Sequence, residues 1–228
     1  MYIIRLILIT SLLMIIPLNA NAHKLISHDD SNVELKNALN IPDHKISWAI
    51  YENLQDDEVK YYKFEAKQGD SFYSSIVIPK IESLFDYAPT IAIIGDGINR
   101  SDKVPFEVSH EFGTWVFPYH GQFPSKEFYE PFGQVTYWER QEVKITIPKD
   151  GLYYIAVYDE ESKNGKYSLA IGTVEDFTFI DFFTILPKSW FETKIFLGDY
   201  LSASIGIIFL IGIPSTIAYF IIRKNRKH

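Results

Sequence analysis

From Tyr200 to Ile222 the chain carries no charged residue, and directly afterwards come Arg223, Lys224, Arg226 and Lys227. A helix needs about 20 apolar residues to cross ~30 Å of hydrocarbon. The stretch is long enough, and it lacks the polar face of a helix buried in a soluble core. Pro214 is tolerated in a helix of this kind. Residues 200–222 therefore read as one transmembrane helix. The basic cluster puts the 223–228 tail on the cytoplasmic side and argues against a lipid-anchor signal.

The other end gives the same topology. Arg5, an apolar run from Leu6 to Leu18 and Ala20-Asn21-Ala22 have the layout of a secretory signal peptide cleaved after Ala22. A retained N-terminal anchor is the alternative. The chain then divides into a signal peptide (1–22), a polar and mobile lead-in (23–45) with a short helix possible over 32–39, an outer domain (46–174), a juxtamembrane amphipathic segment (175–199), the span and the tail. The localisation expected is a single-pass cell membrane protein, N-terminal domain outside, with the lipid bilayer as one partner.

Charge and cysteine bound the partners. Of 22 Lys and Arg, Arg5 and four tail residues lie outside the outer segment, while all 29 Asp and Glu lie within it, so that segment is near −12. No nucleic-acid partner is expected, because binding phosphates needs a basic patch. No cysteine is present, which excludes disulfides, zinc–thiolate centres and cysteine nucleophiles. Asn99-Arg100-Ser101 is the one glycosylation triplet, a weak signal.

The outer segment reads as strands. It shares 15 Tyr and 17 Phe with the rest of the chain, and both types favour pleated sheet. Alternation predicts strands at 47–51, 61–66, 71–78, 90–94, 114–117, 142–147, 152–158 and 167–171. Lys67-Gln68-Gly69-Asp70 and Pro148-Lys149-Asp150-Gly151 are turn signals. The 61–66 and 71–78 pair reads as a hairpin. Leu152–Tyr158 is apolar on both faces, hence central. Many short strands with frequent turns make an all-β, two-sheet sandwich.

Two stretches carry a family likeness. Tyr62-Lys63-Phe64-Glu65-Ala66-Lys67-Gln68-Gly69-Asp70 leads into a strand. Gly151 to Tyr158, a polar loop, then Gly165 to Gly172 resembles the last hairpin of pre-peptidase C-terminal-type domains. The resemblance covers about residues 58–78 and 142–172. It implies a jelly-roll-like sandwich serving as an accessory or binding module, not a catalyst. The aromatic middle, 96–140, and the membrane-linked end depart from that family.

Two segments are candidates for function. Val104–Arg140 is dense in rings and turn formers; Tyr119, His120, Phe128, Tyr129, Phe132, Tyr137 and Trp138 are the candidate ligand-binding residues. Aromatic rings on a long loop supply contact area at small entropic cost, which suits a glycan or protein ligand. The alternative is that the rings fold back and cap the sandwich. Metal ligation by His110, Glu111 and His120 matches no local motif, and calcium at Asp96, Asp102 or Asp159-Glu160-Glu161 lacks an EF-hand pattern, so no metal and no cofactor are expected.

In Glu175–Asp199, Phe179, Phe182, Phe183 and Leu186 fall at helical spacing. Pro187 is expected to break or redirect one or two short helices lying on the outer leaflet. Phe182, Phe183, Trp190 and Tyr200 are the expected membrane-interface residues. An accessory subunit docking on a membrane complex through this stripe is the alternative. No Gly-x-Ser-x-Gly, His-Glu-x-x-His, P-loop or Gly-x-Gly-x-x-Gly pattern occurs, so a hydrolase would have to rest on an unmarked carboxylate pair.

Overall fold

The computed structural model describes residues 23–100 and 102–225. The expected signal peptide, Ser101 of the glycosylation triplet and the last three tail residues lie outside the described residues. Eleven strands run in chain order: β1 (Lys24–Leu25), β2 (Leu39–Asn40), β3 (Trp48–Leu54), β4 (Val59–Ala66), β5 (Ser71–Pro79), β6 (Thr90–Gly95), β7 (Gly113–Phe117), β8 (Glu127–Glu130), β9 (Val135–Thr146), β10 (Gly151–Tyr158) and β11 (Gly165–Ile171). Two helices follow, α1 (Asp181–Leu197) and α2 (Tyr200–Asn225).

The strands form a two-sheet β-sandwich. Sheet A has the order β1-β3-β11-β5-β9-β8, and sheet B the order β2-β4-β10-β6-β7. All eight predicted strands are present, and β10 is central, between β4 and β6. The hairpins are not. β4 lies in sheet B and β5 in sheet A, and β10 and β11 are likewise split between the sheets. Period-2 alternation sets which face of a strand is buried, and it is blind to whether the next turn returns to the same sheet or crosses to the opposite one.

The inner faces meet in one core. Ile50, Tyr62, Phe64, Phe72, Ile76, Ile93, Ile155, Tyr167 and Leu169 are fully buried there, each contributing about 1.5–3 kcal/mol by leaving water. Phe64 and Phe72 stack across the sandwich at 4.6 Å. At one end the core takes in charge: Glu52 and Lys60 are buried, with Nζ 3.7 Å from Oε2. Asn32 Nδ2 and the Tyr62 hydroxyl both donate to Glu52 Oε1, at 2.9 and 2.8 Å.

The lead-in is ordered, against the expectation from its polar composition. β1 pairs in parallel with β3, β2 in parallel with β4, and Leu35–Asn37 forms one 3-10 turn. Polar side chains hold it: Asn32 reaches Glu52, and Lys24 reaches Asp176 and Asp181.

The outer faces of the two sheets differ. That of sheet B is covered: Tyr61, Ala92, Ile94, Ala156 and Tyr158 pack beneath Leu35, Val104, Phe106, Val108 and Phe112. The first stretch of the aromatic insertion, from Val104 to Phe112, is spent there. The outer face of sheet A carries α1 on one side and otherwise stays open.

Of the one or two short helices expected, α1 is one, and Pro187 lies inside it without ending it. Proline removes one backbone hydrogen bond. Packing of Leu186, Ser189, Thr193 and Phe196 against the sandwich holds the helix on both sides of it. Gly198 ends α1 in the left-handed conformation and its N–H bonds back to Ile195. Two residues later α2 begins, its Tyr200–Arg223 stretch the one candidate membrane span among the described residues, by length and composition.

Candidate functional site

A cleft of about 720 Å³ lies on the outer face of sheet A. Its floor is made by the outward-pointing residues of the middle strands: Ala49 on β3, Ser168 and Ala170 on β11, and Ser75 on β5. These are small, so the floor is sunk relative to its surroundings. One wall is built of large residues near the β8–β9 edge: Phe128, Glu130, Phe132, Tyr137 and Glu139. The opposite wall is α1, through Ser189 and Thr193.

Hydroxyl contacts tie the walls together. The Tyr51 hydroxyl and Thr193 Oγ1 are 2.8 Å apart, and the Thr193 hydroxyl donates to the Ser189 carbonyl at 2.8 Å. Tyr51 also stacks on Phe196 at 4.7 Å, and its hydroxyl interacts with that of Tyr137. Burial raises both phenols, that of Tyr137 well above its ordinary value. Both remain neutral and able to hydrogen bond.

The loop that closes the wall depends on Gly133. A Cβ there would come within 2.8 Å of Thr193 Cγ2, so glycine lets the β8–β9 turn approach α1. Glu130 accepts the N–H groups of Phe132, at 2.8 Å, and of Gly133. Burial raises its carboxyl, and those two donors partly offset the rise. Ser189 is 6% exposed, and its Oγ has no protein partner while its residue lines the cleft. A buried hydroxyl left without a partner costs about 1–3 kcal/mol.

The sequence-derived candidates separate into three groups. Phe128, Phe132 and Tyr137 line the cleft. Tyr119 and Trp138 belong elsewhere. The guanidinium of Arg140 lies 5.5 Å from the Tyr119 ring, 4.9 Å from that of Phe123 and 5.5 Å from that of Trp138. Arg140 also donates to the Tyr87 and Phe85 carbonyls, at 2.9 Å each, and to Ser125 Oγ. Trp138 is 3% exposed and points into the core. His120 and Tyr129 are exposed, and neither lines the cleft. Part of the insertion thus folds back as a cap around Arg140, and part walls the cleft.

The metal candidates are not brought together. His110, Glu111 and His120 are exposed and form no group. Asp96 pairs with Lys149, and Asp159 accepts the N–H groups of Glu161 and Lys163. Among the described residues one set has ligand-type atoms within 4.8 Å of each other: His28, Asp30 and Glu52. It is ill suited to a cation. His28 Nε2 lies 3.1 Å from the Tyr51 carbonyl, and its Nδ1 accepts the Asp30 N–H. The Lys60 ammonium already faces Glu52.

Of the expected interface residues, Phe183 is 63% exposed and Tyr200 66%. Phe182 lies in the first turn of α1. Trp190 packs edge-on against Phe191 at 5.1 Å, with the Lys194 ammonium 5.6 Å from its ring. The expected apolar stripe is outward at Phe179 and Phe183 and buried at Leu186. Helix α1 buries Asp181, Ser189, Thr193 and Lys194 with Leu186 and Phe196, while Phe183 and Ile195, and Phe179 and Ile180 in the turn before it, are exposed. Spacing at 3.6 residues identified the helix and could not say which face meets protein.

No family model matches the chain, and no curated protein matches it. Several solved structures resemble it in part. The pre-peptidase C-terminal domain of collagenase from Bacillus anthracis is 11% identical over 66% of this chain and 97% of that one, with a TM-score of 0.29. PliG of Salmonella Typhimurium, a periplasmic inhibitor of g-type lysozyme, is 17% identical over 59% and 97%, with a TM-score of 0.34. CorA of Methylomicrobium album BG8, a surface-associated copper-binding protein, is 9% identical over 68% and 99%, with a TM-score of 0.30. The likeness is partial and concerns the β-sandwich alone. It includes the family that residues 58–78 and 142–172 resemble.

Proposed function

We propose that the chain is a membrane-anchored, extracytoplasmic and non-catalytic binding module whose ligand occupies the cleft on sheet A. The observation that carries this is the asymmetry of the sandwich. One outer face is sealed by apolar cover, while the other is left with a sunken floor of Ala and Ser between an aromatic wall and a hydroxyl-bearing helix. Apolar walls with a few convergent polar groups are the usual makeup of a ligand site. Ring faces at Phe128 and Phe132 beside Ser, Thr and Tyr hydroxyls suit a neutral, polyhydroxylated ligand, a glycan. Glu130, Glu139, Glu142 and Glu175 on the lining disfavour an anion. The test is binding of the full chain, purified in mild detergent, to an oligosaccharide panel. Phe128→Ala and Ala170→Phe should each abolish retention with the melting temperature held. Retention unchanged by both variants rejects the cleft as the site.

A second reading is favoured by the outward rings of α1 and the unburied α2. The chain docks on a membrane complex through residues 177–222. Crosslinking in native membranes that yields only monomer counts against it.

A further inference from the structure

We infer that the ligand of this cleft is lipid-linked: the headgroup of an uncharged glycolipid in the leaflet into which the C-terminal helix inserts. The inference rests on the binding-module reading above and adds where the ligand resides.

The position of α1 relative to the span comes first. A Cβ at Gly206 would lie 2.7 Å from the Trp190 ring and 3.3 Å from that of Phe191. Gly206 stands six residues into α2, about 9 Å along the axis at 1.5 Å per residue. The second half of α1 therefore folds back beside the first two turns of the span. Ser189 precedes Trp190, and Thr193 is one turn further on. The helix that walls the cleft thus runs at the level where the span enters hydrocarbon. An α-helix with its side chains is about 10–12 Å across, so the cleft wall and the bilayer surface are one helix diameter apart.

The exposed side of α1 comes second. Phe179, Ile180, Phe183 and Ile195 are 80, 66, 63 and 54% exposed. Phe183 and Ile195 lie on the helix that buries Ser189 and Thr193, Phe179 and Ile180 form the turn that leads into it, and the exposed side continues into Tyr200 and Leu201, 66 and 73% exposed. Beside the buried Leu186 and Phe196 the helix turns Ser189 and Thr193 inward, and it leaves Phe183 and Ile195 outward; large apolar groups on its outer side match a helix that meets acyl chains there.

The chemistry of the lining comes third. Ser189 Oγ is buried, unpartnered and on the cleft wall. Ser47, Ser75, Ser168, Thr173 and Thr193 supply further hydroxyls. The basic groups on the lining are engaged: Lys126 with Glu139 at 3.1 Å, Arg140 with two carbonyls, and His23, whose imidazole burial holds below its ordinary pKa, with Nδ1 2.5 Å from Ser47 Oγ. No uncommitted cation among the described lining residues awaits a phosphate, which points to sugar hydroxyls over a phospholipid headgroup.

The test uses the full chain in phosphatidylcholine nanodiscs, read by native mass spectrometry of retained lipid. Three probes are compared: digalactosyldiacylglycerol, phosphatidylglycerol and free digalactose. Preferential retention of the galactolipid, with Ser189→Leu and the wall variant Phe128→Ala each lowering it about tenfold, supports the inference. Free digalactose binding as tightly as the galactolipid overturns it and leaves the binding-module reading standing. Phosphatidylglycerol retained equally well overturns it too. Retention of neither sugar probe overturns both.

Discussion

The Lys24 ammonium lies 3.4 Å from the Asp181 carboxylate, with only 11% and 12% of the two side chains exposed. The pair joins β1, at the start of the described chain, to the first turn of α1, near the end of the outer segment. Asp181 also accepts the Thr178 N–H at 2.8 Å, and that hydrogen bond is the largest influence holding its carboxyl below the usual range. Ser27 adds a bond to Glu192, at 2.8 Å, further along α1.

Lys24→Met should therefore loosen α1 from the sandwich without unfolding the sheets. Its chain length is kept and its charge removed. Limited proteolysis of the detergent-purified chain should cut within 175–199 several-fold faster than in wild type, because opening governs cleavage. Equal cleavage rates would mean that Tyr51, Phe196 and Ser27 hold the helix without this pair.

Arg140 is the centre of the folded-back loop. Arg140→Lys keeps the charge and loses the planar fork that reaches Tyr87, Phe85 and Ser125 together. The expected cost is about 2–3 kcal/mol, from hydrogen bonds to a charged group and from stacking on Tyr119, Phe123 and Trp138. Urea unfolding measures it. A midpoint unchanged from wild type would show that the rings hold the loop unaided.

Glu52 predicts a pH dependence. Burial is the largest influence on its carboxyl and raises it above the usual 4.5, against the opposing pull of His28, Asn32, Lys60 and Tyr62. A raised folded value means the native chain keeps a proton that the unfolded chain releases. This contribution to stability is complete below about pH 4.5 and is lost as pH rises through the folded value. Glu52→Gln retains an acceptor for Asn32 and Tyr62 and does not titrate. Urea melts from about pH 4 to about pH 8 should show wild type losing ground to the variant as pH rises. Parallel curves would show that this carboxyl titrates as it does unfolded.

Much of the fold can be read in the residues. Val143, Ile145 and Ile147 alternate with Glu142, Lys144 and Thr146, and the structure buries the first set more deeply than the second. What alternation misses is pairing, since Lys67–Asp70 and Asp159–Asn164 carry the chain between sheets with the turn residues a hairpin would use. The cleft was half visible. Phe128, Phe132 and Tyr137 stood out because rings in a turn-rich stretch are conspicuous. Ala49, Ser75, Ser168, Ala170 and Ser189 did not, because a floor is made by what is small, and small residues on a strand look like ordinary surface. Glu52 and Lys60 were hidden for a related reason. Glu52 stands between Ile50 and Leu54 on its face of β3 and Lys60 precedes Tyr62 on its face of β4, and only a folded structure shows that the two meet.

Between the end of α1 and the start of α2 stand only Gly198 and Asp199. At about 3.5 Å per residue this link spans roughly 7 Å. With α1 fastened to the sandwich as well, the head of the protein has no tether on which to swing or reach upward. With α2 spanning a bilayer as proposed, its search for a partner is two-dimensional, run by drift within the plane, and anything it captures must arrive at a fixed height.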